Sequence, residues 1–346
     1  MADAKARKAG RRWKVAALVV LGLLGAVGAG VALRWTELKT RYYLTRLQTA
    51  GEGEREAAAE RLAEIGEPAI AGLIGCLREE DPDVCATAAY GLRRMVEGWG
   101  EGDPRCEELA RELAGAYPGL SRDGQVGVLR LMTACRSAGV PGLDEVCAPL
   151  AREALRGPSV GHRIEGIRLA MWPELPLLPE VVPLLRDPEA EVRRAAMLAL
   201  GPERLGGAAD GTAADPSPAV SAEELLPFLH DADPEVRRLC EQSLRARGLS
   251  EQEIRLGERL TDPDPAQRLR LLVDLAADPE VDLNVWLERL SRDPDAAVRA
   301  GAARVASERG ADLADRLEEM SRSDPHGTVR RIAEHYRRAL ADRKPR

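Results

Sequence analysis

Residues 187–201 read DPEAEVRRAAMLALG, and the pattern of this stretch returns along the chain. An Asp-Pro dipeptide comes first, Val or Leu follows with an adjacent Arg, or with Cys85 in the earliest copy, and small or apolar residues then recur at helical spacing. The repeated starts are Asp81, Asp187, Asp233, Asp262, Asp293 and Asp324. The last three are 31 residues apart. Internal repetition of this length predicts a solenoid, in which each unit buries its apolar face only against its neighbours.

Each Asp-Pro dipeptide is expected to start a helix. An Asp at the N-cap accepts hydrogen bonds from the free amides of the first turn, and a Pro at the first helical position has no amide to lose. Behind the turn, apolar positions recur at steps of three and four, as in Val192, Ala195, Ala196 and Ala199. A second apolar helix accompanies each of these helices, and no alternating strand pattern is present. We therefore predict an all-α fold, an α-solenoid of stacked antiparallel helix pairs.

The stretch EREAAAERLAEIGEPAIAGLIGCL, residues 54–77, and the Asp-Pro turns resemble the HEAT-repeat family, in the short bacterial form also found in bilin lyases. The resemblance covers roughly residues 52–340 and implies a HEAT-like superhelix. The 31-residue spacing is shorter than the ~40 residues of typical HEAT units. Ankyrin and tetratricopeptide signatures are absent, while armadillo-like three-helix units remain an alternative.

Residues 15–33, VAALVVLGLLGAVGAGVAL, are apolar or small throughout. As a helix they extend about 28 Å, close to the ~30 Å hydrocarbon core of a bilayer, so we predict one N-terminal transmembrane helix. Trp13 and Trp35 bracket it as membrane-interface anchors. Six Lys or Arg residues precede it and four follow, which favours a cytoplasmic N-terminus and a periplasmic or extracytoplasmic body. The reversed orientation and a cleaved signal peptide remain alternatives.

Composition divides the rest of the chain. We expect a basic tail over 1–14, a juxtamembrane helix or linker over 34–51, a first block of repeats over 52–200, a flexible insertion over 201–221, a second block over 222–340 and a basic tail over 341–346. The insertion is rich in Gly, Ala and Pro, as flexible linkers are. Gly22, Ala26 and Gly30 share one face of the predicted transmembrane helix, so they could support weak homodimerisation.

Five arginines follow the first buried residue of their predicted helices. They are Arg193, Arg237, Arg270, Arg299 and Arg330. Stacking of the repeats would place them in a row beside the Asp residues of adjoining turns. Such a row could bind an acidic partner or an anion. The resemblance to HEAT repeats implies instead a structural ladder of Asp and Arg side chains between repeats.

Residues that carry chemistry are dispersed. The four His are far apart without metal-ligand spacing, and the six Cys form no Cys-x-x-Cys pair. Disulfides between Cys76 and Cys85, or between Cys135 and Cys147, stay open. A nucleophile elbow, a phosphate loop and a dinucleotide fingerprint are all missing from the sequence. We therefore expect no catalytic residue, no cofactor and no metal, and a protein that is not an enzyme.

Charge argues against a nucleic-acid partner. Ten of the 50 Lys and Arg residues lie in residues 1–50, with only two of the 57 acidic residues, so 40 bases and 55 acids remain and the rest of the chain carries −15. We therefore expect a single-pass membrane protein whose repeats form a non-catalytic scaffold for one or more protein partners. The resemblance leaves one alternative, a bilin-lyase-like protein that handles a chromophore or a subunit of an enzyme complex.

Overall fold

The computed structural model describes residues 34–137, 142–201, 220–277 and 283–343. Regular structure in these ranges is helical and includes no strand, which confirms the predicted all-α fold. None of the helices in the same ranges is long and apolar enough to cross a bilayer. The predicted transmembrane helix over 15–33, with Trp13, Gly22, Ala26 and Gly30, lies outside the described residues.

Contacts between residues divide the chain into two compact units, which meet in sequence between Val181 and Val182. Unit 1 begins with α1, over residues 34–49. Its other helices are α2 (Glu52–Ile65), α3 (Ile70–Cys76), α4 (Pro82–Trp99), α5 (Pro104–Ala116), α6 (Arg122–Ser137), α7 (Leu143–Leu155), α8 (Val160–Ala170) and α9 (Leu178–Val181). Two 3-10 turns, Glu67–Ala69 and Tyr117–Gly119, connect them.

Alternate helices of unit 1 lie side by side. Helix α2 packs against α4, α4 against α6, and α6 against α8. Helices α3, α5 and α7 form the second member of each pair, and α5 also packs against α7. This is the stacked pairing that the repeats predict. It includes α5, α6 and α7, which lie in a part of the sequence where the repeat pattern is hard to recognise.

The start of α6 approaches the end of α3 so closely that only glycine fits at the contact. A Cβ atom on Gly124 would lie 2.0 Å from the carbonyl oxygen of Leu77. The same carbonyl accepts hydrogen bonds from the backbone N–H of Ser121 at 3.1 Å and from its hydroxyl at 3.0 Å. The contact therefore fixes the position of α6 on the preceding helix pair.

Unit 2 starts with a 3-10 turn at Val182–Arg186. Its helices are α10 (Ala190–Leu200), α11 (Ala222–Leu225), α12 (Pro234–Ala246), α13 (Glu251–Leu260), α14 (Pro265–Ala277), α15 (Leu283–Leu290), α16 (Ala296–Arg309), α17 (Ala314–Ser323) and α18 (Gly327–Arg343). Helix α11 continues into a 3-10 helix at Leu226–His230. Ser221 and Ser250 begin α11 and α13 with reciprocal hydrogen bonds to the Glu three residues later.

Side-by-side packing also organises unit 2. Helix α10 packs against α12, α14 against α16, and α16 against α18. Helices α15 and α17 are the second members of the helix pairs, and they pack against α16 and α18 respectively. Leu272, Leu275, Leu287, Leu290 and Val298 belong to one buried cluster between these helices. The stacking is thus continuous from α14 to α18, whereas α12 and α14 make few direct contacts.

The division into units differs in place from the break that we expect from composition. The segment poor in large apolar residues is 201–221, whereas the contacts divide the chain between Val181 and Val182. Composition records where large apolar residues are scarce, but a compact unit is defined by the contacts that its helices make. Residues 202–219 lie outside the described ranges, and the extents of the two repeat blocks and of the tails stay predictions.

Candidate interaction surface

Five turns of unit 2 share one geometry. In each of them an Asp carboxylate accepts a hydrogen bond from the backbone N–H two residues later, at 2.8–2.9 Å. We call this residue the turn Asp. The five are Asp187, Asp231, Asp262, Asp293 and Asp324. From Asp231 onward they are 31 residues apart, so the regular array contains one more turn than the Asp-Pro dipeptides indicate.

The predicted helix caps occupy two different positions. Asp81 and Asp233 are N-caps, and each accepts hydrogen bonds from two amides of the first helical turn. Four others precede the N-cap by two residues, because their carboxylates bond across the turn and the helix begins after it. These four are Asp187, Asp262, Asp293 and Asp324. In two of those repeats a second acid, Asp264 or Asp295, bonds the first amides of the helix.

An arginine stands six residues after each turn Asp, and its guanidinium binds the turn that precedes it. Nη1 donates to the backbone carbonyl oxygens of the turn Asp and of the next residue. The five ladder arginines are Arg193, Arg237, Arg268, Arg299 and Arg330. These backbone contacts orient each guanidinium whether or not a carboxylate also binds it.

Three ladder arginines also bind the turn Asp of the following repeat. Nε and Nη2 each donate to one carboxylate oxygen, at 2.7–2.9 Å. The pairs are Arg193–Asp231, Arg268–Asp293 and Arg299–Asp324. Little solvent reaches them, since the side chains of Arg299 and Asp324 are 9% and 3% exposed. A structural ladder is therefore present at these three positions, and two of its arginines, Arg193 and Arg299, are among the predicted ones.

Arg270 is not part of the ladder, which differs from the expectation from sequence. Arg268 occupies the ladder position, and Arg270 is exposed, with its Nη1 3.5 Å from Oε1 of Gln267. The displacement has a simple cause. In the other four repeats a Val directly precedes the ladder arginine, but in this repeat the position holds Gln267. The first apolar residue of the helix is therefore Leu269, and the arginine that follows it, Arg270, lies two residues beyond the ladder position. The buried stripe of α14 is formed by Leu271, Leu272 and Leu275, while Val273 is 61% exposed.

The two remaining ladder arginines bind only their own turns. Within the ranges that the structure describes, neither Arg237 nor Arg330 has a carboxylate on its Nε–Nη2 edge. Arg237 stands at the junction between α12 and α14, where direct packing is sparse. Arg330 lies in the first turn of α18, directly after the last of the five turns.

Burial determines what the closed pairs contribute. Removing Arg and Asp from water is costly, and the attraction between them repays this cost only when every hydrogen-bonding group is satisfied. Arg299 meets that condition, because its guanidinium bonds two backbone oxygens and both oxygens of Asp324. The Arg299 guanidinium lowers the pKa of Asp324 below its usual value. We therefore expect the pairs to act chiefly by destabilising any other alignment of the repeats, since that alignment would separate each Arg from its Asp.

The residue type at the ladder position varies in unit 1. Arg55 forms an ion pair with Asp81, at 3.1 Å, across to the next helix pair. In the next repeat the position is held by Cys85, whose thiol contacts the carbonyl oxygen of Glu79 and the hydroxyl of Ser121, each at 3.2 Å. Neutral groups thus replace the charged pair in part of unit 1.

All six cysteines are buried free thiols. Neither Cys76 with Cys85 nor Cys135 with Cys147 forms a disulfide, so these two open pairings are not realised. Burial raises the pKa of Cys135, Cys147 and Cys240 to about 12. The thiolate form, which is the reactive one, is therefore disfavoured.

A buried histidine joins α6 to α8. The side chain of Gln125 donates to the carbonyl oxygen of Tyr117, so its own oxygen accepts from Nε2 of His162 at 2.9 Å. Nδ1 of His162 then accepts from the hydroxyl of Ser159 at 2.7 Å. Burial lowers the pKa of His162. The sequence gives no sign of this role, because no spacing motif contains the residue.

Residues of α4, of α6 and of the start of α8 line a groove of about 880 Å³ in unit 1. Small residues form much of its surface: Ala86, Ala89, Gly127, Ala134 and Gly161. A Cβ atom on Gly127 would lie 3.0 Å from the Cβ of Ala89, so the two helices approach closely here. The groove thus exists because small side chains leave room between adjacent helices.

Charged and aromatic groups stand along this groove. Asp83 and Asp123 lie at the starts of α4 and α6, and Arg93 and Arg130 lie farther along the same helices. The Arg93 guanidinium carbon is 5.4 Å from the centre of the Tyr90 ring. Arg130 also pairs at 2.9 Å with Glu165, whose side chain is only 3% exposed. The groove therefore combines a narrow floor of small residues with cations held in place by neighbouring groups.

One of the two predicted membrane-interface anchors, Trp35, lies in the described part of the chain. Trp35 is 59% exposed on α1, with Nζ of Lys39 5.7 Å from its ring centre, and its role as a membrane-interface anchor stays a prediction. Across the described residues, no three His, Cys, Asp or Glu side chains are placed to hold a metal ion.

Residues 177–202 match the HEAT repeat family, a segment that contains the turn at Asp187, α10 and Arg193. The match supports the HEAT-like interpretation for the repeat in which the complete turn, ladder arginine and buried stripe occur together. A search of the curated proteins gives no match.

We predict that Arg268→Ala lowers the free energy of unfolding by about 3–5 kcal/mol, because it leaves the Asp293 carboxylate buried without its partner. Arg270→Ala is the matched control, and we expect a change within about 0.5 kcal/mol for this exposed side chain. Chemical denaturation of the full chain measures both. Equal effects of the two variants would contradict the assignment of Arg268 to the ladder.

Proposed function

We propose that this protein is a non-catalytic scaffold that binds a protein partner in the groove over α4, α6 and α8. The observation that carries the proposal is the groove itself, formed on three alternate helices that pack side by side and whose positions are fixed by buried contacts. Solenoids of stacked helix pairs commonly present such extended surfaces to other proteins. The HEAT repeat match at residues 177–202 is consistent with this role.

The shape of the groove favours a helical or extended segment as the ligand. Its surface is made by Ala86, Ala89 and Gly127, so apolar side chains of a partner helix could enter between α4 and α6. Arg side chains on aromatic rings are frequent anchors in protein interfaces, and Arg93 on Tyr90 presents this combination at the groove. Partner side chains would therefore find both apolar contact and charge recognition within one surface.

The acidic end of the groove favours one orientation of the partner. Asp83 and Asp123 mark this end, while Arg93, Arg130 and Glu97 lie farther along the helices. Nε of Arg93 is 3.6 Å from the Glu97 carboxylate and Arg130 pairs with Glu165, so the charges of these cations are already compensated. We therefore expect a partner segment whose basic residues lie at the end near Asp83 and Asp123. Complementary charges of this kind chiefly set specificity and association rate.

We predict that Ala86→Trp reduces the yield of crosslinked partner at least tenfold. Ala86 is exposed and lines the groove, so an indole ring at this position would fill the space that the partner occupies. Ala71→Trp is the matched control, since Ala71 is also exposed on a helix but does not line the groove. The measurement is quantitative mass spectrometry of crosslinked complexes from cells that express the full chain. An unchanged set of crosslinked proteins in the Ala86 variant would contradict the proposed site.

We further propose that residues 15–33 tether the scaffold to a membrane, with the N-terminus in the cytoplasm and the body on the other side. The support is the sequence alone, namely nineteen apolar or small residues, flanking Trp13 and Trp35, and six basic residues before the span against four after it.

We predict that the full chain stays in the membrane fraction after extraction with alkaline carbonate, because a spanning helix is released only by detergent. Proximity labelling from a C-terminal tag should mark extracytoplasmic proteins. Release into the carbonate supernatant would contradict the tether, and labelling of cytoplasmic proteins would contradict the orientation.

A further inference from the structure

Arg330 reproduces one half of a closed ladder pair. Its Nη1 donates to the carbonyl oxygens of Asp324 at 2.6 Å and Pro325 at 3.3 Å. Those contacts correspond to the ones that orient Arg299 on Asp293 and Pro294. In the described part of the chain, the Nε–Nη2 edge of Arg330 has no hydrogen bond or ion pair. The guanidinium is thus oriented by its own turn while its second edge is open.

The structure contains three examples of what such an edge binds. At each closed position, Nε and Nη2 hold the two oxygens of a turn Asp that precedes a helix. We propose that Arg330 is a second binding site, which takes the carboxylate of an acidic Asp-Pro turn on a partner protein. The chemical basis is the planar fork of donors, which matches a carboxylate and which Lys cannot reproduce.

Space and charge at Arg330 suit this ligand. A cavity of about 650 Å³ adjoins the guanidinium and is also lined by His326, Arg331 and Glu334. The Glu334 carboxylate is bonded to Arg337 at 2.9 Å and to Arg338 at 2.7 Å, so its charge is already compensated. Arg330 and Arg331 therefore leave a local excess of positive charge. An acidic segment complements this site, whereas the chain as a whole carries −7.

This site is separate from the proposed groove. The groove is lined by residues of unit 1, and Arg330 belongs to unit 2. Binding at Arg330 therefore does not depend on the groove proposal, and blocking the groove with Ala86→Trp should leave it unchanged. The two proposals can fail independently.

The test uses the full chain in a non-ionic detergent and a fluorescein-labelled peptide with the sequence of residues 259–267, RLTDPDPAQ, which contains a turn Asp of this protein. Fluorescence anisotropy measures the dissociation constant. We expect saturable binding that weakens at least tenfold with Arg330→Lys, and to the same extent when the peptide carries Asn in place of its first Asp. Arg322→Ala is the control for net charge, because Arg322 is exposed and pairs with Glu318 within α17.

Full affinity in the Arg330→Lys protein would overturn the proposal, because it would show attraction to positive charge without the donor fork. Equal binding of the Asn peptide would also overturn it. Since Arg330 is exposed, the Lys variant should keep the circular dichroism spectrum of the native protein. Sedimentation velocity supplies the last outcome: self-association that Arg330→Lys abolishes would assign the edge to a second copy of this chain and overturn the separate partner.

Discussion

A buried guanidinium shared between consecutive turns is the interaction on which the stacking of unit 2 depends. Each closed ladder arginine bonds the backbone of its own turn and the carboxylate of the next, so a single side chain fixes the spacing of two repeats. Because both side chains are buried, a shifted register would leave the two charges without partners and without water. Apolar contacts between the helices contribute most of the buried surface, and many arrangements of the helices could provide such contacts. The ion pairs favour one of these arrangements.

Variation at the ladder position changes what each repeat can do. Where Cys85 replaces the arginine, a buried thiol and Ser121 satisfy the turn without charge, and nearby small residues allow α4 and α6 to approach and leave the groove at their surface. Where Arg237 lacks its carboxylate, the adjacent helices α12 and α14 make few contacts, so the stack is less tightly coupled at that point. Arg330 has no such carboxylate among the described residues, and we propose that a partner supplies it. One repeated element would then serve both a structural and a binding role.

Sequence alone predicts the helical class and the paired helices, because Asp-Pro starts and apolar spacing are local properties of the chain. It also predicts the ladder where Val precedes Arg, as at Arg193 and Arg299. It places the ladder at Arg270 instead of Arg268, because Gln267 removes the Val that marks the register and only the packed structure shows which Arg is buried. The groove, His162 and the neutral contacts of Cys85 were equally inaccessible, since they depend on side chains brought together from separate repeats. Aligning the turns on the acid six residues before each Arg would have recovered Asp231 and Arg268.

The most direct test of this account is a double-mutant cycle on Arg299 and Asp324, measured as free energies of unfolding of the full chain with Leu at either position and at both. We expect a coupling energy of about 2 kcal/mol or more, because each single variant leaves a buried charge that the double variant removes. A coupling energy below about 0.5 kcal/mol would show that the two repeats keep their register without the pair, and it would contradict the ladder as the constraint that orders the stack.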